Sequence, residues 1–134
     1  MSRYLLDTDT AIEVFRGRNP RAASALAANP RQDVALSVVT IAEMVFGAHR
    51  SADPARSLEL LARFCSAFEI LPLTRAGAEI AGHARAHLES AGQRIGPHDV
   101  LIAGIALAEA RVLVTHNTRE FRRVPDLKFE DWLI

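Results

Sequence analysis

The sequence predicts an α/β fold of three layers, in which a central, mainly parallel sheet of four to five strands is flanked by helices. Three observations lead there. Short apolar runs recur along the 134 residues, each too brief for a helix. Longer stretches lie between them, with apolar residues at a helical period and with capping residues or proline at their starts. The two kinds of segment alternate, which makes neighbouring strands parallel and puts helices on both faces. No repeat, linker or low-complexity segment breaks the pattern, and the length suits one domain over residues 1–134.

The elements follow in order. Arg3-Tyr4-Leu5-Leu6 reads as a buried strand running into the turn Asp7-Thr8-Asp9. A helix is expected from about Thr10, where Thr10-Ala11-Ile12-Glu13 has the form of a capping box, to near Gly17. Pro20 opens a second helix through an alanine-rich stretch to Ala28. Val34-Ala35-Leu36-Ser37 is the second strand, and Thr40-Ile41-Ala42-Glu43 repeats the capping-box form ahead of a helix to about Arg50. Pro54 starts the next helix, with Leu58, Leu61 and Cys65 on one face. Phe68 to Leu71 is the third strand, Thr74 to about Ser90 a long helix ended by Gly92, and Gly96-Pro97 opens a helix to about Ala110. Val112 to Thr115 is the fourth strand and Lys128-Phe129-Glu130 a short fifth.

Apolar residues make up 49% of the chain and charged residues 24%, the balance of a soluble globular protein and not of a disordered or fibrous one. No apolar run is long enough to cross a bilayer, and Met1-Ser2-Arg3 leads only into a short stretch ending at Asp7, so a cytoplasmic protein is expected. The single cysteine, Cys65, can form no internal disulfide and reads as a small core residue. The formal net charge of zero excludes a protein that holds nucleic acid by bulk electrostatics alone. Of the sixteen cationic residues only Lys128 is lysine; arginine suits bidentate phosphate contact, although a base composition favouring arginine codons explains the count as well.

In a parallel sheet ligands bind outside the carboxyl ends of the strands. Asp7 ends the first strand, Glu43 lies early in the helix after the second, and Asp99 starts the helix opened by Gly96-Pro97. Taken singly, each reads as a helix-start acid complementing the macrodipole. Two details point further. Asp7 and Asp9 follow an apolar strand with little room for a solvated face, where a charge is costly unless paired or bound to metal. Glu43 and Asp99 both precede apolar helix segments, Met44-Val45-Phe46 and Val100-Leu101-Ile102, which marks inward-facing carboxylates.

Four segments carry a family resemblance: Tyr4-Leu5-Leu6-Asp7-Thr8-Asp9, Ser37-Val38-Val39-Thr40-Ile41-Ala42-Glu43-Met44-Val45-Phe46-Gly47, Ile95-Gly96-Pro97-His98-Asp99-Val100-Leu101-Ile102-Ala103, and Val114-Thr115-His116-Asn117-Thr118-Arg119-Glu120-Phe121. In this order they resemble the signature blocks of VapC-type PIN domains, the ribonuclease toxins of bacterial toxin-antitoxin pairs, across nearly the whole chain. The resemblance implies a PIN-like three-layer fold and a Mg²⁺- or Mn²⁺-dependent endoribonuclease. It implies Asp7, Glu43 and Asp99 as metal ligands, and Asn117 as a fourth catalytic position where many members have an acid. An amide there carries no charge, so a second metal would be held more weakly. Asp9, Thr115 and Glu120 are candidate supporting or substitute partners. Carboxylate oxygens suit hard cations, and a cation so held would activate water for in-line attack on a phosphodiester. Products with 5′-phosphate and 3′-hydroxyl ends, an RNA substrate with tRNA favoured, a VapB-like antitoxin that occludes the acidic cleft and binds promoter DNA as a complex, and a homodimer are further implications. The helices around Val45-Phe46 and Leu58-Leu61 could supply the dimer surface or simply fill the core.

Arg119, Arg122 and Arg123 follow the presumed site and could reach an RNA backbone, although a solvated loop explains them equally. Aromatic residues are few, so specificity is expected from RNA shape and not from base stacking. His83 and His87 have a zinc-binding spacing, but Ala84 stands where a metalloprotease motif has glutamate and no third ligand is evident, so they read as surface histidines. His98 and His116 flank presumed site residues. Two other classes compete: a PIN-like module that binds RNA or a partner without cleaving it, which Asn117 keeps open, and a haloacid-dehalogenase-like phosphatase built on Asp7-Thr8-Asp9. The phosphatase expects Thr or Val where Ala11 stands, and a catalytic lysine on a strand-to-helix turn, whereas Lys128 lies near the end.

Overall fold

The computed structural model describes residues 2–134. Its elements are β1 (Tyr4–Leu6), α1 (Thr8–Arg16), α2 (Pro20–Ala27), β2 (Val34–Ser37), α3 (Val38–His49), α4 (Pro54–Cys65), β3 (Glu69–Leu71), α5 (Arg75–Ser90), α6 (Pro97–Ala108), β4 (Val112–Val114), α7 (Thr118–Phe121) and β5 (Phe129–Glu130). The strands form one sheet in the order β3-β2-β1-β4-β5. All pairs are parallel, with Leu5 beside Ala35 and Leu113, Leu36 beside Ile70 and Val114 beside Glu130.

Side chains alternate between the two faces, as the pleat requires. Leu5, Ala35, Leu71 and Leu113 pack under α5, α6 and α7 with Leu88, Ile102, Ile105 and Phe121. Leu6, Val34, Leu36 and Val114 pack on the other face with Ala11, Met44, Ala48 and Leu61 of α1, α3 and α4. Because both faces are covered, the strands read as continuous apolar runs. On the first face α5 and α6 approach through glycine: a Cβ on Gly104 would collide with the Gly77 carbonyl oxygen and stand 2.9 Å from the Ala81 Cβ. That contact fixes α6, and hence Asp99 at its start.

The structure moves two helix starts. α1 begins at Thr8 with Asp7 as its N-cap, and α3 begins at Val38 with the Ser37 hydroxyl accepting the Thr40 N–H. Both capping-box threonines, Thr10 and Thr40, are instead buried within the helices. The reason is shared: each strand runs straight into a helix, so the polar residue at or just past its end takes the cap. Cys65 is half-buried and not a core residue; it lines an apolar groove between α3 and α4 with Val38, Ile41, Val45, Leu58 and Ile70. A one-turn helix at Arg31–Asp33 and the short α7 were not anticipated, being too brief to show a period. Among the described residues no helix is long and apolar enough to cross a membrane.

Candidate active site

The strand order reverses at β1, between β2 and β4, and the crevice at that switch is where an α/β sheet places a ligand. Asp7 stands there. Its N–H continues the ladder to the Val114 carbonyl at 2.8 Å, and the residue is only 3% exposed. One carboxylate oxygen accepts the Thr8 N–H at 2.9 Å and the other the Thr115 hydroxyl at 2.8 Å. Burial, then the charges of Asp9 and Asp99, push its carboxyl up to about 8, against the two hydrogen bonds. An acid so displaced holds its charge only at a cost that a cation would relieve.

Glu43 reaches the same place from α3. Its Oε1 accepts the Thr8 hydroxyl at 2.7 Å, so Thr8 joins Asp7 through its amide and Glu43 through its side chain. The Thr40 hydroxyl lies 3.0 Å from that of Thr8. Asp99 arrives from the first turn of α6, which has Gly96 as N-cap. A Cβ at Gly96 would come within 3.0 Å of the Asp99 carboxylate, so the glycine leaves room for it. Burial and then the charges of Glu120, Glu43 and Asp9 push the Asp99 carboxyl up to about 6, with His98 opposing. Three distant stretches of chain thus meet at one edge.

The surrounding groups sort themselves. Asn117 is held by its N–H donating to the Thr115 hydroxyl at 3.0 Å, and its side-chain amide donates to Glu120. Glu120 in turn is the neighbouring charge that Asp99 feels most, so an acid stands beside Asp99 even though Asn117 is neutral. Asp9 accepts the His116 N–H at 3.1 Å. The His116 ring is 2.8 Å from Asp131 and His98 is 3.7 Å from Glu43. Arg119 and Arg122 are exposed beyond this edge, whereas Arg123 is half-buried and donates to the Arg94 carbonyl at 3.1 Å. His83 and His87 lie on the outer face of α5, where they line a groove with Asp126.

Among the described residues no three His, Cys, Asp or Glu side chains form a ready-made metal cage. Asp7 and Glu43 are held instead by hydroxyls and an N–H, both oxygens of Asp7 and one of Glu43 being bonded in this way. Thr8 is a further residue of the site. Its signal in the sequence is a hydroxyl between two acids at a strand end, but only the fold shows that it meets Glu43.

A parallel sheet in this order with an acidic cluster at its switch point defines a class of protein, and the family comparison gives the class a name: the PIN domain profile matches residues 4–127, and the chain belongs to the PIN domain family. Within the family it is of the VapC type. It is 34% identical to the tRNA(fMet)-specific endonuclease VapC of Salmonella typhimurium, over 98% of this chain and 99% of that protein. It is 35% identical to Ribonuclease VapC2 of Haemophilus influenzae over 99% of this chain and all of the relative. The fold agrees with the VapC chain in the crystal structure of DNA-bound VapBC from Salmonella typhimurium at a TM-score of 0.92, with 34% identity over 98% of this chain and 99% of that one. It agrees with FitAcB from Neisseria gonorrhoeae at 0.86, with 27% identity over 98% and 99% of the two chains. Membership of this family displaces the phosphatase reading. Geometry concurs, because Lys128 lines a groove with Arg3 and Arg111, whose side chain bonds the β1-start carbonyl of Tyr4, at the sheet's other end.

Proposed function

We propose that this chain is a divalent-cation-dependent endoribonuclease toxin that cleaves RNA phosphodiester bonds and is neutralised by a VapB-like antitoxin. The observation that carries it is the meeting of Asp7, Glu43 and Asp99 at the switch point, with Asp7 and Asp99 each raised by burial and by acidic neighbours. Relatives named as ribonucleases support the reaction, and neighbours described as VapBC complexes support the partner.

The donor set fits Mg²⁺ or Mn²⁺, since it consists of carboxylate oxygens whose charges oppose one another. Asp7, Glu43 and Asp99 would hold the ion, which when bound supplies Lewis acidity and neutralises charge developing on the phosphate. The chain's own residues do the rest. Thr115 and Thr8 orient Asp7, and Thr8 with Thr40 fixes Glu43, so the ligands are positioned by hydroxyls that carry no charge. Asn117 holds Glu120, whose charge is the one that raises Asp99 most, so Glu120 is the acid that would stand in for the one missing at position 117. That arrangement favours a nuclease over a non-cleaving RNA-binding module. Arg119 and Arg122 are free to contact RNA phosphates, and Arg123 less so.

tRNA is the favoured substrate, by similarity to relatives named for tRNA(fMet). The chain acts in the cytoplasm, where that substrate and the antitoxin are made. The apolar groove between α3 and α4 supports a homodimer. The test is metal-dependent cleavage of tRNA and total RNA by purified protein beside Asp7→Asn. Cleavage by the wild type alone supports the reading. RNA binding without cleavage by either protein replaces it with the binding module.

A further inference from the structure

The face of α3 that carries Glu43 continues away from the acidic cluster with residues the proposed chemistry does not use. Glu43, Phe46 and Arg50 fall at i, i+3 and i+7, one stripe of the helix. Phe46 is therefore about 5 Å along the axis from Glu43. The residue is 63% exposed and is the one aromatic among the large exposed apolar residues of the described chain. It belongs to neither core cluster. The Arg50 guanidinium lies 5.6 Å from the ring centroid. An open groove lined by Phe15, Arg16, Glu43 and Gly47 adjoins this part of α3. The apolar residues Val38, Ile41 and Val45 lie on a different stripe of α3 and line the groove with α4, so Phe46 is not part of that surface.

An exposed ring in this setting has a chemical meaning. Water around a phenyl face is unfavourable, and the arginine beside it would be a costly surface for a purely apolar partner. A nucleotide satisfies both features, because every base has a π-face to stack and a phosphate to meet a guanidinium. We propose that Phe46 and Arg50 form a platform that receives one unpaired base of an RNA strand, beside the bond presented to Asp7, Glu43 and Asp99. The identity of the ligand rests on the nuclease reading above. The platform gives the enzyme a preference for a single-stranded segment next to the cut, which shape recognition alone does not.

Two measurements test this. Phe46→Ala should raise KM for a single-stranded substrate about tenfold with kcat changed little, while Phe46→Tyr stays near wild type, because a stacked base contributes about that much to affinity. Phe46→Trp, placed in an Asp7→Asn background to prevent cleavage, should lose fluorescence as a short single-stranded oligoadenylate is added. The native Trp132, 7% exposed, sets the unresponsive background. An unchanged KM in a Phe46→Ala protein that still cleaves, or no quenching at saturating oligoadenylate, overturns the platform. Weakened antitoxin capture with unaltered RNA parameters also overturns it, in favour of a protein-binding role. Quenching in a chain whose wild type never cleaves leaves the platform standing and removes the nuclease.

Discussion

Replacing Asp7 by asparagine should stabilise the protein while abolishing its proposed activity, and the size of the gain follows from the carboxyl's surroundings. On folding that group moves from 3.8 to about 8. The folded state then binds the proton more tightly, so the stability Asp7 contributes is complete below pH about 4, declines as pH rises and is gone above pH about 8. At ~1.4 kcal/mol per pKa unit the shift sets a ceiling on the order of 6 kcal/mol. Movement of the half-buried Asp9 and Asp99 away from the charge takes up part of this. About 2 kcal/mol, roughly 4–8 °C in Tm, is expected above pH 8. Asparagine keeps an oxygen for the Thr8 N–H and carries no charge. Thermal melts of the two proteins from pH 4 to pH 9 give the readout. The offset should be widest at high pH and shrink toward pH 4, and excess Mg²⁺ should narrow it by stabilising the wild type. A variant that melts below the wild type at pH 8, or an offset independent of pH, would refute the reasoning.

Further outcomes are expected from other parts of the structure. Glu43→Ala should abolish RNA cleavage and growth arrest while leaving the melting temperature within about 3 °C, because the half-buried side chain contributes one hydroxyl bond; persistent toxicity on expression would contradict this. Arg111→Ala should cost about 3–4 kcal/mol by urea denaturation. The Arg111 side chain is 2% exposed, donates to the carbonyls of Tyr4 and Asp33 and pairs with Glu69, tying three strand starts together. A midpoint unchanged in urea would show that these ties are dispensable. Gly104→Ala should cost about 2–3 kcal/mol through the clash with the Gly77 carbonyl, whereas Gly77→Ala meets only ordinary contacts at 3.4 Å and beyond and should be close to neutral. Equal effects at the two glycines would argue against close approach of α5 and α6.

The order of strands and helices was legible in the chain itself, because a period of two or of 3.6 is written in consecutive residues and needs no partner to be read. Proline at positions 20, 54 and 97 marked three helix starts correctly. The strand-to-helix junctions at Asp7 and Ser37 were misread, since a capping-box pattern looks the same at a helix start as one turn inside it. The candidate acids were nameable from their places after strands and from the family resemblance. Their meeting was not. Asp7 and Asp99 are separated by most of the chain, and whether their charges interact depends on α6 sitting against α5 through Gly104 and Gly77. The bridge from Thr8 to Glu43, the pairing of Asn117 with Glu120 and the exposure of Phe46 are likewise facts of three-dimensional placement. Sequence determines which groups are available and on which face of an element they lie; distance and burial, which set the cost of a charge, are decided only when the layers pack.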